Sequence, residues 1–233
     1  MKSTTYSVLE GEKMLNQQTF SFGQTVNYKA LLKNFRQRYG SVCHYHVEFS
    51  VSTEVMLRIM NKMRQNPRVA EVAMVIPDES GRIWLHTKAS YPRGVYRLMT
   101  GGLNPGESPH VALRREVKEE TGFDAQIERC LAVVTYNFVT DGESFPFTSY
   151  VFLTRPATGT PLPTDPNEAI TNFQAVPANQ LFATAQRLRS LNGKFSDWGN
   201  FRAVVHEVVG NFLTSKSQSA NDKSGHQSLP SRF

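Results

Sequence analysis

Three glutamates lie close together near the middle of the 233-residue chain, at Glu116, Glu119 and Glu120. On a helix, spacings of i, i+3 and i+4 place all three carboxylates on one face within a single turn. Carboxylates packed this closely repel one another, and their oxygens are ligands that Mg²⁺ and Mn²⁺ prefer. The spacing therefore indicates a divalent-metal site. A solvated acidic face, balanced by the neighbouring cations Arg114, Arg115 and Lys118, is the alternative that these residues leave open.

The helix that carries the glutamates is predicted to run from Pro109 to Thr121. Ser108 can cap its first turn with a hydroxyl, and the Pro109 ring already has a helical φ. Gly122 is expected to end the helix, because glycine readily adopts the left-handed conformation found there.

The whole segment 101–123 resembles the Nudix box, G-x5-E-x7-R-E-U-x-E-E-x-G-U, in which U is apolar. Every fixed position is matched, at Gly101, Glu107, Arg115, Glu116, Val117, Glu119, Glu120, Gly122 and Phe123. The order of elements from about Val69 to Leu191 is also similar to that of the family. The resemblance implies an α/β fold, a Nudix-type α/β/α sandwich around a mixed sheet, preceded here by an N-terminal α+β extension.

The resemblance further implies a metal-dependent hydrolase that cleaves the diphosphate linkage of a nucleoside diphosphate derivative by water attack at phosphorus. By position, Glu119 and Glu120 are implied as ligands of Mg²⁺ or Mn²⁺. Glu116 is implied as a third ligand or as the group that activates water. The carbonyl of Gly101 is implied as a backbone ligand.

Other residues are expected to position these ligands and the substrate. Arg115 resembles the family's residue that orients the glutamates through charged hydrogen bonds, and it completes the predicted catalytic set. Glu107 and Gly122 are expected to give structural support. Three cations shortly before the box are candidates for contact with substrate phosphates: Lys88, Arg93 and Arg97.

Many family members add an acidic ligand from a loop shortly before a strand that contains an aromatic residue. Glu168 lies five residues before Phe173 and is the candidate for this ligand. Asp141 and Glu143 are alternatives.

The chain outside the box divides into three parts. Residues 1–66 form the extension, 67–213 the Nudix domain, and 214–233 a tail rich in Ser, Asn, Gln and Lys that is predicted to be disordered. In the extension, Asn27 is expected to cap a helix with the apolar stripe Leu31, Phe35 and Tyr39, and Thr53 a second helix. Between these helices, alternation over 43–51 predicts a strand whose polar side carries His44, His46 and Glu48 and is interpreted as exposed. Further strands are predicted at 69–76, 82–87, 95–99, 129–139 and 147–154, and further helices at 177–191 and 197–213.

Composition and charge indicate the cellular location and the partners to be expected for the protein. Cys43 and Cys130 are too few for a secreted disulfide framework and lack zinc-binding spacing, so a cytoplasmic location is expected. No uninterrupted apolar run reaches the roughly 18 residues that a membrane span needs, so no membrane association is expected. The net charge of +6 arises within residues 1–68, where ten Lys or Arg face four Glu. This basic surplus permits contact with nucleic acid but does not by itself establish it.

The expected partner is therefore a small nucleotide substrate, and a homodimer is compatible with the sequence. Two other functions remain open: a Nudix-fold sensor that binds a nucleotide without turnover, and a pyrophosphohydrolase of RNA 5′ ends. The intact box argues against the isoprenoid diphosphate isomerase branch, which usually departs from the consensus.

Overall fold

The computed structural model of the protein describes residues 5–8, 18–19, 25–26, 28–65, 68–140 and 143–224, with side chains for 30–61, 68–140 and 143–215. The strands are β1 (Thr5–Val8), β2 (Gln18–Thr19), β3 (Thr25–Val26), β4 (Cys43–Ser50), β5 (Ala70–Val75), β6 (Ile83–Lys88), β7 (Met99–Gly102), β8 (Ile127–Thr140), β9 (Glu143–Thr154) and β10 (Ile170–Val176). The helices are α1 (Tyr28–Tyr39), α2 (Thr53–Gln65), α3 (Pro109–Thr121), α4 (Gln180–Arg189) and α5 (Ser196–Ser224). A mixed six-stranded sheet has the order β1-β4-β8-β9-β5-β7, and β6 pairs with β10 in a separate ladder.

Both faces of the central sheet are covered by helices. Strand β5 is buried along its whole length, and its side chains alternate between the two sides. Met74 packs in one apolar cluster with Leu113 of α3, whereas Ala73 packs in another with Met56 of α2 and Val204 of α5. The predicted α/β/α sandwich around a mixed sheet is therefore confirmed.

The extension shares this sheet with the rest of the chain. Strand β4 pairs in parallel with β8 over eight positions, from Cys43 opposite Ala132 to Ser50 opposite Val139. Helix α1 packs Phe35 in the cluster that contains Met74 and Leu113, on the face opposite to α2. Residues 28–65 thus add one strand to the sheet and one helix to each of its two faces.

One strand lies in a different place from the prediction. The pattern favoured a strand at 95–99, but β7 begins at Met99 and continues through Gly102, where it pairs with β5. Val95 instead packs in a small cluster with Leu188 of α4. Strand β7 continues through Gly101 and Gly102. Glycine suits both positions, because a Cβ at either one would lie too close to a neighbouring side chain.

Two helix ends also differ from expectation. The hydroxyl that accepts from the start of α2 is Ser52 Oγ, 3.3 Å from Val55 N, rather than that of Thr53. Asn27, the expected cap of α1, lies outside the described residues. Helix α5 extends to Ser224, into the segment 214–233 that was predicted to be disordered, and the remainder of that segment is not described. A helix with a packed first half continues at little cost per residue, which composition alone does not reveal.

Among the described residues, no helix is both long and apolar enough to cross a bilayer. Both cysteines are free thiols.

Candidate active site

Helix α3 carries the predicted glutamates, and its ends are set by the residues around it. Ser108 occupies the N-cap with an extended backbone, but its hydroxyl makes no capping bond and lies 3.2 Å from His110 Nδ1 instead. The Ser108 carbonyl accepts from Val111 N and Ala112 N at 3.0 Å. Gly122 ends the helix at φ +74°, and a Cβ there would lie 2.8 Å from the Leu162 carbonyl oxygen, so glycine is required on both grounds.

The three glutamates do not share one environment. Glu116 and Glu120, one turn apart, are buried, whereas the side chain of Glu119 is 34% exposed. Glu116 and Glu120 meet Glu168, and each of the three offers a carboxylate oxygen within 4.8 Å of the others. Glu119 is not part of this acidic triad of Glu116, Glu120 and Glu168.

Gly101 allows the triad to lie against the sheet. A Cβ at Gly101 would be 1.9 Å from Glu116 Cδ and 2.2 Å from its Oε2. No side chain fits in that space, so the first glycine of the box lets a buried carboxylate approach the backbone of β7. The Gly101 backbone is therefore next to the triad, and its role as a carbonyl ligand stays a prediction.

Arg115 binds one glutamate of the triad and two glutamates beside it. Its Nε and Nη2 donate to the two oxygens of Glu107 at 2.9 and 2.8 Å, and Nη2 also donates to the Gly102 carbonyl at 3.0 Å. Its Nη1 donates to Glu116 Oε1 at 2.8 Å and to Glu119 Oε2 at 2.9 Å. This planar group fixes three carboxylates at once, an arrangement that a single ammonium cannot reproduce. Glu107 also accepts from Asn104 N at 2.9 Å and so joins the box loop to α3.

Lys88 is a second cation in contact with the triad. Its Nζ donates to Glu120 Oε1 at 2.9 Å and also to Glu168 Oε2. Glu168 reaches this position from a 3₁₀ turn, Pro166–Glu168, that is followed by Ala169 at φ +51°. The turn brings its carboxylate to the start of β10, beside β6.

One buried oxygen of the triad has no hydrogen-bond partner among the described residues. Glu120 Oε2 is fully shielded and lies 3.6 Å from His86 Nδ1, which also lacks a hydrogen-bond partner among these residues. A buried carboxylate oxygen without a donor is costly, and a cation bound by three carboxylates would satisfy it. The residues present therefore fit a hard divalent cation such as Mg²⁺ or Mn²⁺.

Burial sets the protonation of the site. It raises the pKa of Glu116, and it raises the pKa of Glu120 to about 8 in spite of the nearby Lys88. Burial would lower the pKa of Lys88, but the attraction and hydrogen bonds of Glu120 and Glu168 together outweigh it, and the pKa is raised. It also holds the pKa of His86 well below its usual value, so this imidazole is neutral. Without a metal ion, the site thus disfavours a full set of negative charges.

The triad opens into a cavity of about 550 Å³. Lys88 and Arg97 line it, and their contact with phosphates stays a prediction, whereas Arg93 is exposed and is not among the lining residues. The lining also includes aromatic side chains, among them the half-buried Phe147 and Phe201. Helix α2 of the extension contributes Val55, Arg58 and Ile59.

Other predicted candidates lie away from the triad. Glu143 is exposed at the start of β9, and Asp141 lies outside the described residues. On β4, His44 is buried rather than exposed: its Nε2 lies 3.1 Å from Thr135 Oγ1, and His46 Nδ1 lies 3.0 Å from the same hydroxyl. The interpretation of this strand face as exposed is therefore wrong for His44, whose ring packs against the side chain of Thr135 on β8.

Sequence reasoning missed two contributions to the site. His86 lies two residues before Lys88 on β6, so the period of a strand could have placed both side chains on one face. No local pattern placed α2 at the cavity, because its position depends on the pairing of β4 with β8, which is remote in sequence.

Comparison with known proteins places the chain in a family. The family model of the NUDIX domain matches residues 67–199, more than half of the chain. The chain therefore belongs to the NUDIX family.

The individual proteins similar to this chain share either a short segment or a low sequence identity with it. The mitochondrial NAD(P)H pyrophosphatase NUDT13 of Homo sapiens is 33% identical, and that of Mus musculus 30%, over 66 residues, which are 28% of this chain and 19% of each relative. The match thus spans about a fifth of the length of these relatives. Among solved structures, the E. coli dihydroneopterin triphosphate pyrophosphohydrolase is 18% identical with a TM-score of 0.45 over 64% of this chain and 97% of its own. A MutT protein from Methanosarcina mazei Go1 is 18% identical with a TM-score of 0.41, over 65% of this chain and 97% of its own.

Proposed function

We propose that the protein is a metal-dependent pyrophosphohydrolase that cleaves the diphosphate linkage of a nucleoside diphosphate derivative by water attack at phosphorus. The observation that carries this proposal is the acidic triad, whose oxygens lie within 4.8 Å of one another at one end of a cavity that cations also line. Membership of the NUDIX family supports the same reaction class.

Glu116, Glu120 and Glu168 would hold Mg²⁺ or Mn²⁺, with the Gly101 carbonyl as a further ligand. Bound metal would lower the pKa of a coordinated water and neutralise charge on the phosphoryl oxygens. Arg115 keeps Glu116 in place through Nη1, so that its carboxylate stays against the backbone of Gly101. Glu119 contacts Arg115 outside the triad, and its part as a ligand is the least supported of the predicted set.

The lining of the cavity suits the two parts of such a substrate. Lys88 and Arg97 offer positive charge for phosphates that would meet the metal. The rings of Phe147, Phe201 and Trp198 also line the cavity and offer flat apolar surface. Aromatic rings stack on nucleobases with little regard to base identity, which supports a nucleoside as the second part.

The test is a turnover assay of the purified chain with millimolar Mg²⁺ or Mn²⁺. The panel contains NADH, ADP-ribose, a diadenosine polyphosphate and RNA with a 5′-triphosphate. Metal-dependent release of a mononucleotide from one of the small compounds supports the proposal. Tight binding without turnover by the intact chain would instead identify a sensor, and turnover of the RNA alone would identify a 5′-end pyrophosphohydrolase.

We further propose that the enzyme works in the cytoplasm on a small nucleotide. The free thiols of Cys43 and Cys130 support a reducing compartment.

A further inference from the structure

Arg97 is a buried cation without a carboxylate partner. It is 5% exposed, less than any other Lys or Arg whose side chain the structure describes. Its Nε donates to the Tyr91 hydroxyl at 2.8 Å, and its Nη1 donates to the Leu98 carbonyl at 2.7 Å and to Thr100 Oγ1 at 3.1 Å. All three acceptors are neutral. Within the described part of the chain, no carboxylate oxygen lies within ion-pair distance of the guanidinium.

Other cations near the cavity floor have acidic partners. Lys88 pairs with Glu120 and Glu168. Arg202 donates from Nη1 to both oxygens of Glu71 at 2.7 Å, and Ser149 also donates to Glu71 at 2.8 Å. Glu71 is therefore already occupied by Arg202. Of these three cations, Arg97 is the one without a carboxylate in direct contact, and Glu120 and Glu71 attract it only at longer range.

The position of Arg97 relative to the triad follows from the backbone. Arg97 and His86 exchange two hydrogen bonds, at 2.9 and 3.0 Å, so their side chains lie on the same side of this antiparallel pair. His86 Nδ1 is 3.6 Å from Glu120 Oε2. Thr100, which accepts from Arg97, directly precedes Gly101, where Glu116 meets the backbone. Two independent connections thus place Arg97 beside the triad.

The free side of the guanidinium belongs to the cavity. Nη2 makes no hydrogen bond to any of the described residues, yet it is not among the fully shielded polar atoms without partners, and Arg97 lines the cavity. A buried charge is costly unless it is paired, and a guanidinium presents parallel donors that match phosphate oxygens. Burial, followed by repulsion from Arg202, lowers the pKa of Arg97, and the attraction of Tyr91, Glu120 and Glu71 does not cancel this shift.

We propose that Arg97 is a phosphate-binding residue at the floor of the cavity, where its guanidinium takes the substrate phosphate that lies beside the acidic triad. The inference rests on the proposed function in one respect, which is that the bound anion is taken to be part of a diphosphate. The neutral acceptors on Nε and Nη1 hold the guanidinium in place and leave its charge for the ligand.

The experiment measures binding of methylene diphosphonate by calorimetry. This probe has a P–C–P bridge in place of P–O–P, so its binding does not depend on turnover. Wild type, Arg97→Gln, Arg97→Lys and the control Arg187→Gln are compared in millimolar Mg²⁺ and again in chelator. Arg187 is exposed on α4 and is not among the cavity-lining residues, and its substitution removes the same charge. Circular dichroism checks that each variant is folded.

We expect Arg97→Gln to weaken binding by about 30-fold or more, as for loss of a charged hydrogen-bonded pair, and Arg97→Lys to weaken it less. Arg187→Gln should bind like the wild type. Binding by Arg97→Gln within about threefold of wild type would overturn the inference, as would no binding by wild type in either condition. If Arg97→Gln does not fold, Arg97→Lys decides, because it keeps the charge but loses the planar fork.

The outcomes for Arg97 and for the hydrolase are separable. Arg97-dependent binding without turnover of any diphosphate compound would retain the anion site and refute the hydrolase. Turnover of a diphosphate compound, together with diphosphonate binding that is unchanged in Arg97→Gln, would retain the hydrolase and refute the anion site.

Discussion

At the scale of single residues, the site depends on how a few charges are compensated. Arg115 pairs with Glu107, Glu116 and Glu119 at once, so its planar fork, rather than its charge alone, defines the geometry. Glu120 differs, because it is buried with one oxygen unpartnered.

Replacing Arg115 by Lys should lower metal affinity or turnover by about 10- to 100-fold, the usual cost of disturbing the groups that orient metal ligands. An ammonium cannot donate to all three carboxylates from one position. Calorimetric titration with Mn²⁺ and initial rates on the panel substrate measure the effect. Arg114→Lys is the matched control, since Arg114 precedes Arg115 on α3 and is exposed. Turnover and metal binding equal to wild type would show that Arg115 does not orient the ligands.

Glu120 makes a prediction about pH. Burial raises its pKa from 4.5 to about 8. Between these two pH values the folded state keeps a proton on Glu120, whereas the unfolded state has released it. In the metal-free protein, this carboxyl therefore costs stability progressively as pH rises from about 5 to 8. Glu120→Gln removes that cost and leaves Lys88 paired with Glu168.

The melting temperature of Glu120→Gln minus that of wild type, measured in chelator from pH 5 to 9, should accordingly become more positive with pH. The control Glu79→Gln, at an exposed position, should show a constant difference. A difference for Glu120→Gln that does not change with pH would mean that the carboxylate is solvated or compensated in the folded protein.

At the scale of elements, the N-terminal helix α1 is part of the sandwich. Its apolar stripe packs inward, and the ring of Phe35 makes edge contacts with Tyr150 and Phe152 at centroid distances of 5.7 and 6.1 Å. The basic residues of the same helix, Lys33, Arg36 and Arg38, are exposed.

Phe35→Asp should lower the free energy of unfolding by about 3–5 kcal/mol, because it removes a buried ring and places an unpaired charge among apolar side chains. Urea denaturation measures the change. Simultaneous replacement of Lys33, Arg36 and Arg38 by Gln is the control on the same helix, and we expect little effect on folding. Equal stability of Phe35→Asp and wild type would show that α1 is not held to the sheet in solution.

The elements of the box were predictable because local chemistry fixes them. Pro109 and Gly122 delimit α3, and the i, i+4 spacing of Glu116 and Glu120 gives one buried face. Glu168 could be named as a candidate but not chosen over Glu143, because the choice depends on a 3₁₀ turn and on the pairing of β10 with β6. Position along the chain carries no information on such long-range pairing.

At the scale of the whole molecule, the segment before the box contributes to both fold and cavity. Strand β4 extends the sheet beyond β8, and α2 contributes Val55, Arg58 and Ile59 to the lining of the cavity. The sequence predicted these elements individually but treated them as an extension of unknown role. Their contribution appears only when strands about 90 residues apart are paired.

The central claim is metal-dependent cleavage of a diphosphate linkage at the acidic triad. Its most direct test is the rate of mononucleotide release from the preferred panel compound, with saturating Mg²⁺ or Mn²⁺, for wild type, Glu120→Gln and Glu79→Gln. The account predicts wild-type turnover that chelator abolishes, a loss of about a hundredfold or more in Glu120→Gln with folding retained, and no change in Glu79→Gln. Turnover by Glu120→Gln at the wild-type rate, or by wild type in chelator, would contradict it.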